Sequence, residues 1–233
     1  MTLLLSSIAP ALLIMFLIYR YDLEKEPLKM LVLAFFGGVV SIFVSLLFSQ
    51  PLSVFINVMP SGFFAEFYRA FFIAAIPEEL AKWLVFWMII QRAKDFDQYY
   101  DGILYAIFIS MGFALVENIL YVMKGGMSVA ILRAILAVPG HMLFAVPMGY
   151  YLSRSKFEQG ATAFQHRVYS LLIPIVLHGT YDFILMYVGA KGKSFPLLVL
   201  PLLIAFVIFD IYMWRLGLRK LREMRNRDSQ NLK

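Results

Sequence analysis

The sequence contains no cysteine and few charged residues. Of its 233 residues, 61% are hydrophobic and only 15% are charged, whereas an ordinary soluble domain has about 45–50% apolar and about 25% charged residues. The absence of cysteine excludes disulfide bonds, thiolate zinc sites and cysteine nucleophiles. The low charge and a mean hydropathy of +0.77 disfavour a water-soluble globule. Both predict a polytopic membrane protein built of helices, because a helix satisfies its own backbone hydrogen bonds in lipid.

Long apolar segments recur along the chain and predict an all-α fold with about seven transmembrane helices. The loops between them are short, and no Gly/Ser linker or internal repeat interrupts the pattern. We therefore expect a single membrane-embedded domain over residues 1–214, followed by a basic cytoplasmic tail over residues 215–233. The predicted spans cover residues 2–19, 30–49, 66–90, 103–123, 128–152, 168–188 and 196–214.

Lysine and arginine residues concentrate in alternate loops and in the tail. Since short cytoplasmic loops carry an excess of basic residues, we expect the N-terminus outside and the C-terminus in the cytoplasm. The formal net charge of +6 is then explained by topology, with the lipid bilayer rather than nucleic acid as the partner. The loop residues behind this prediction are Arg20, Lys25, Lys29, Arg92, Lys94, Arg154, Lys156 and Arg167.

Ionisable residues inside the predicted spans are few, and they gather in four neighbouring segments. Because charge in hydrocarbon is costly, such residues mark a functional site by default. Counting about 1.5 Å per residue from the span ends places them in one layer, in the middle to outer half of the membrane. They are Glu78, Glu79 and Lys82 in PEELAKW, Glu117 with Asn118 in FALVEN, His141 in PGH, and His178 with Asp182 in HGTYD.

Helical spacing indicates which of these side chains act together. Glu78 and Lys82 are four residues apart, so we expect them to pair. Glu79 is turned by about 100° around the helix axis from Glu78, so it lies on a different face of the helix. His178 and Asp182 are also four residues apart, which places a carboxylate where it can fix the tautomer of the imidazole.

This set of side chains suits the activation of water, and hydrolysis is the reaction class that it favours. A glutamate would accept the proton of the water, while a histidine or Asn118 would stabilise the oxyanion. A metal-dependent variant is also chemically sound, because His141 and His178 with Glu117 or Glu78 could hold Zn²⁺ and leave a position for water. The sequence leaves both routes open, with no cofactor or with zinc.

The combined motifs resemble the PrsW family of bacterial membrane proteases, which is related to the CAAX-processing and Abi membrane proteases. The resemblance rests on E-E-x-x-K at residues 78–82, F-x-x-x-E-N at residues 113–118, the isolated His141, and H-x-x-x-D at residues 178–182. It covers the four central spans. The wider group more often has E-E-x-x-x-R and F-x-x-x-H, so the departures at Lys82 and Glu117 leave the mechanism open.

The resemblance implies a multi-pass endopeptidase of the bacterial cell membrane. Such an enzyme makes the first, extracytoplasmic cut in a single-span anti-sigma factor, which starts regulated proteolysis and releases a sigma factor in a stress response. By position in the motifs, the implied catalytic residues are Glu78, Glu79, His141 and His178, and the implied supporting residues are Lys82, Glu117, Asn118 and Asp182.

Two other classes of protein explain intramembrane charge without proteolysis. In a small proton-coupled transporter, carboxylates and histidines would form a relay around a site at the membrane midplane. In a non-catalytic scaffold, the same polar groups would bridge helices. The missing internal repeat disfavours the transporter.

Overall fold

A computed structural model describes residues 2–192 and 196–231, and within these ranges the chain is helical with no β-strand. This architecture confirms the predicted all-α class. The helices are α1 (Thr2–Tyr21), α2 (Leu28–Ser53), α3 (Phe63–Tyr68), α4 (Ile76–Val85), α5 (Tyr99–Leu132), α6 (Val138–Phe157), α7 (Gly160–Lys191) and α8 (Pro196–Asn231). A 3-10 turn covers Val54–Val58, and π-helical turns cover Arg69–Ala75, Phe86–Ile90 and Arg133–Ala137.

Five described helical stretches are long and apolar enough to cross a membrane. The longest, Tyr99–Phe157, has 59 residues and is kinked at Gly126, where φ is 74°. A positive φ suits glycine, which has no Cβ to clash with the backbone, and α6 folds back against α5 after this kink. Residues 63–90 are also continuously helical, but they contain the charged motif of α4. The count of seven spans and the sidedness of the termini stay predictions.

Helix α5 occupies the centre of the bundle and packs against α1, α2 and α6. Small residues let the backbones approach closely, as is usual between membrane helices. A methyl group at Gly38 of α2 would overlap the carbonyl oxygen of Ile109, and one at Gly112 would overlap that of Phe35. A methyl group at Gly149 of α6 would likewise overlap the carbonyl oxygen of Gly102. These glycine contacts fix the positions of α2 and α6 along the axis of α5.

The bundle has two distinguishable ends. The Glu26 end comprises the connections at residues 22–27 and 91–98 and the last turns of α6 and α8, whereas the Gly126 end comprises the kink and the connection at residues 54–62. Helix α8 continues without a break to Asn231. Its Asp228 accepts hydrogen bonds from the backbone N–H groups of Tyr99 at 3.0 Å and Tyr100 at 2.8 Å. The boundary proposed at residue 214 stays a prediction.

Candidate active site

Helix α4 carries the two glutamates and the lysine, and π-helical turns flank it on both sides. A π turn adds a residue to the helical repeat and rotates the residues that follow it. Glu79 and Lys82 are buried, with 0% and 1% of their surface exposed. Glu78 instead lines a cavity, so the two adjacent carboxylates have different surroundings.

Lys82 contacts both glutamates of α4 and a histidine of α6. Its Nζ is 2.8 Å from Glu79 Oε1 and 3.6 Å from Glu78 Oε2. The expected pairing of Lys82 with Glu78 is therefore the longer of two contacts, because the lysine reaches back three residues to the buried carboxylate of Glu79. Its ammonium group also lies 4.2 Å from the centre of the Phe113 ring and 3.3 Å from His141 Nδ1.

His178 on α7 stands between two carboxylates. Its Nδ1 is 2.9 Å from Glu79 Oε1 and its Nε2 is 3.4 Å from Asp182 Oδ2. The ring stacks on Phe144 of α6, with a centroid separation of 4.6 Å and an interplanar angle of 13°. These contacts hold the imidazole in one orientation, and the hydrogen bond to Glu79 assigns the Nδ1 proton.

His141 on α6 connects Lys82 to Glu117. Because an ammonium group only donates, His141 Nδ1 accepts from Lys82, and Nε2 then carries the proton that it donates to Glu117 Oε2 at 2.9 Å. The backbone carbonyl of His141 accepts a hydrogen bond of 2.9 Å from Ser110. The neutral Nε2–H tautomer satisfies all of these contacts.

Arg133 completes the site, and the sequence interpretation did not include it. Its Nη2 lies 2.7 Å from Glu117 Oε2, and its Nε donates to Asn118 Oδ1 at 2.8 Å. Asn118 in turn donates to the backbone carbonyl of Ser7 in α1 at 2.7 Å. An arginine inside an apolar stretch was the signal available in the sequence, but its position near a predicted span end made it resemble a topology residue.

All eight predicted site residues therefore belong to one connected set, which we call the polar network. Its contacts run from Asp182 through His178, Glu79, Lys82, His141, Glu117 and Arg133 to Asn118, with Glu78 beside Lys82. Charged groups in the hydrocarbon are costly unless they are paired. The network supplies that pairing from five helical segments.

A cavity of about 450 Å³ leads to the network from the side of the Gly126 end. Glu78 and Glu117 both line it, together with Phe113. Ser45 and Ser49 of α2 provide polar groups on the opposite wall. The Oε2 atom of Glu78 is buried beside Lys82 and makes no hydrogen bond among the described residues. The Glu78 side chain is nevertheless 16% exposed, so this carboxylate can contact a molecule in the cavity.

Comparison with known proteins assigns the chain to a class. A sequence profile for intramembrane metalloproteases of the PrsW family matches residues 26–212. The chain belongs to the PrsW family. It is 36% identical to Protease PrsW of Oceanobacillus iheyensis over 91% of this chain and 94% of the relative, and 34% identical to Protease PrsW of Bacillus subtilis over 95% and 94%.

A third relative, Protease PrsW of Clostridioides difficile, is 33% identical over 95% of this chain and 91% of its own length. No solved structure matches the chain. The family assignment confirms the resemblance seen in the motifs. It supports a membrane peptidase, rather than a transporter or a scaffold, in a bacterial cell membrane that the chain crosses several times.

The family description implies a metal ion, and the residue types of the network are compatible with zinc. Their donor atoms, however, do not converge. Within the described residues, no three His, Asp or Glu side chains of the network have donor atoms all within 4.8 Å of one another. The cationic Lys82 Nζ also lies 3.3 Å from His141 Nδ1, where it would repel a metal ion. The described arrangement therefore does not fit a metal.

Proposed function

We propose that this protein is a membrane-embedded endopeptidase in which Glu78 activates the water that hydrolyses a peptide bond. One observation carries the proposal: Glu78 lines the cavity without a hydrogen bond to the described residues, whereas Glu117, which also lines it, is held by Arg133 and His141. The neighbouring Glu79 is held by Lys82 and His178. One carboxylate thus positions other groups while the other remains available as a general base.

In the proposed reaction, Glu78 accepts a proton from water as the water oxygen attacks the carbonyl carbon of the substrate. Both ring nitrogens of His178 face carboxylates, which favours the doubly protonated imidazolium, and we propose that this positive charge stabilises the oxyanion of the tetrahedral intermediate. Collapse of the intermediate breaks the C–N bond, and the leaving amine takes the proton from Glu78. The products are a new carboxyl terminus and a new amino terminus, so atoms and protons balance.

The remaining members of the network act through these two residues. Glu79 and Asp182 orient the imidazole of His178. Lys82 and His141 connect Glu79 to Glu117, and Asn118 is fully buried in its contacts with Arg133 and Ser7. The sequence offered Asn118 as an alternative for stabilising the oxyanion, but these contacts favour a supporting role.

The substrate that this arrangement favours is a single-span membrane protein of the anti-sigma factor type. The cavity opens toward the Gly126 end, whereas the basic residues Arg20, Lys25, Arg92 and Lys94 lie at the Glu26 end. With the basic end in the cytoplasm, the cut falls near the extracytoplasmic face. Such a cut corresponds to the first cleavage of a regulated cascade that activates a sigma factor.

Reconstituted enzyme and a single-span reporter with an extracytoplasmic stalk test this proposal. Glu78→Gln removes the base with little change in volume, and we expect the cleavage rate to fall about 10²–10⁴-fold. Glu24→Gln, at an exposed position of the Glu26 end, is the matched control and should cleave normally. Undiminished cleavage by Glu78→Gln would refute the assigned role.

Mapping the cut by mass spectrometry tests the substrate assignment separately. We expect the new termini to lie in the reporter's stalk or in the outer part of its span. A cut on the cytoplasmic side would contradict the anti-sigma assignment and the proposed sidedness, while leaving the role of Glu78 to the first experiment.

A further inference from the structure

A second group of acidic residues, separate from the polar network, lies at the Glu26 end. We call it the acidic cluster, and it consists of Asp22 and Glu26 in the α1–α2 connection, Asp97 in the loop before α5, and Asp101 in the first turn of α5. Donor atoms of Glu26, Asp97 and Asp101 all lie within 4.8 Å of one another. Two regions distant in sequence, around residues 22–26 and 97–101, thus bring carboxylates to one place.

Two carboxyl groups of the cluster are buried with oxygens that make no well-formed hydrogen bond to the described residues. Asp101 is 0% exposed, and its Oδ2 accepts from the backbone N–H groups of Asp97 at 3.0 Å and Gln98 at 2.6 Å. Its Oδ1 is buried without a hydrogen bond among the described residues. Asp22 is 5% exposed, and its carboxylate oxygens lie near the backbone N–H groups of Leu23 and Glu24 without a well-formed hydrogen bond to the described residues. Buried polar atoms are normally satisfied, so these oxygens point to a ligand.

The nearby lysines do not supply that ligand. Lys25 donates to the backbone carbonyls of Tyr19 at 2.8 Å and Asp22 at 2.6 Å. Lys156 donates to the carbonyl of Ala93 at 3.1 Å. Both interact electrostatically with the cluster, but within the described residues neither is among the ion pairs closer than 4.0 Å. Among the described residues, neither lysine therefore makes a direct ion pair with the four carboxyl groups of the cluster.

We propose that Glu26, Asp97 and Asp101 bind a divalent cation of the Mg²⁺ or Ca²⁺ class, with Asp22 contributing charge beside it. The donors are all carboxylate oxygens, which such cations prefer over the imidazole and thiolate ligands typical of zinc. Ligand bonds of about 2.3–2.6 Å separate two opposite Ca²⁺ ligands by about 4.6–5.2 Å. Donor atoms that all lie within 4.8 Å of one another are close enough to share one such ion.

A cation in this position joins the connections of the Glu26 end to one another. Glu26 already accepts a hydrogen bond from Tyr105 of α5, and the Gln98 side chain donates to Glu24. The cation adds a link between the α1–α2 connection and the start of α5. Its role is structural, because no member of the cluster belongs to the polar network.

Mn²⁺ binding to the full-length protein in detergent tests the site. After treatment with EDTA and gel filtration, titration followed by electron paramagnetic resonance should show one bound Mn²⁺ per chain. Asp97→Asn should weaken binding at least about tenfold, and it should fold normally because Asp97 is exposed. Asp95→Asn, an exposed carboxylate in the same loop, is the control and should bind as the wild type does. Competition by Mg²⁺ or Ca²⁺ identifies the preferred ion.

Two results would overturn the proposal. One is equal Mn²⁺ affinity, or no binding at millimolar Mn²⁺, in the wild type and Asp97→Asn. The other is loss of Mn²⁺ binding in Glu78→Gln, which would place the cation in the polar network. The protease proposal is tested by cleavage alone, so either proposal can fail without the other.

Discussion

One group of carboxylates belongs to the polar network inside the helical segments and the other lies at the Glu26 end of the bundle, and their partners differ. In the polar network, Glu79 and Glu117 each contact a cationic side chain and an imidazole. In the acidic cluster, the carboxylates of Glu26, Asp97 and Asp101 face one another. Inside the hydrocarbon no counter-ion is available from solvent, so the chain must supply the compensating groups. At the Glu26 end, a cation from the aqueous phase can reach the carboxylates.

The largest effect that separates the two regions is expected from removing a paired carboxylate. Glu79→Ala leaves Lys82 buried without its closest partner, and we expect the free energy of unfolding to fall by about 3–5 kcal/mol. Asp22→Asn removes a buried carboxylate that accepts no well-formed hydrogen bond, and we expect it to change the free energy of unfolding by less than about 1 kcal/mol. Unfolding in mixed micelles, followed by tryptophan fluorescence, measures both. Equal losses of unfolding free energy in the two variants would contradict the proposed difference between the two regions.

A smaller effect is expected at the far end of the polar network. Arg133→Gln keeps a hydrogen-bonding group but removes the cation beside Glu117, so we expect a loss of about 1–3 kcal/mol in unfolding free energy together with slower cleavage. Lys124→Gln removes an exposed cation seven residues after Glu117 and serves as the control. If the Arg133 variant matches it in stability and rate, Arg133 does not support the network.

Removing divalent cations should affect the two regions differently. Since the donor atoms of the network do not converge, we expect EDTA or 1,10-phenanthroline to leave cleavage intact. EDTA, which unlike 1,10-phenanthroline also removes Mg²⁺ and Ca²⁺, should lower the melting temperature, because a ligand at 100 times its Kd contributes about 2.7 kcal/mol. Loss of cleavage on chelation, with recovery on addition of Zn²⁺, would instead support a metal-dependent protease.

The smallest effect is expected at the acidic cluster, where one substitution should stabilise the fold without a divalent cation and destabilise it with one. Without divalent cations, Glu26→Gln relieves repulsion between like charges, so we expect it to stabilise the fold by less than about 1 kcal/mol. With saturating Mg²⁺ or Ca²⁺ the same substitution should destabilise, because a ligand is lost. A thermal denaturation series with and without cation measures both signs. The same sign under both conditions would contradict a cation at this position.

The sequence was most informative where the membrane makes polarity rare. Glu78, His141 and His178 stand out because hydrocarbon tolerates few such residues, and one depth estimate placed them in one layer. The pairing partner of Lys82 was harder to predict. Helical spacing favoured Glu78, but burial against α7 gives the closer contact to Glu79.

Other features depend on contacts that local patterns do not contain. Arg133 meets Glu117 only because the chain doubles back after Gly126. The acidic cluster joins Glu26 to Asp101 across 75 positions, in connections where acidic residues carry no special signal. Both features require the relative positions of helices, which apolar periodicity does not specify.

The glycine contacts at Gly38, Gly112 and Gly149 have a consequence for the genetics of this protein. Each lets two backbones touch, and a single added methyl group would shift a whole helix rather than one side chain. In a random-mutagenesis selection for lost activity, we therefore expect alanine and serine replacements at these glycines to be recovered beside changes at Glu78. Inactive alleles would then mark the positions that hold the helices in register, even where no reacting group is near.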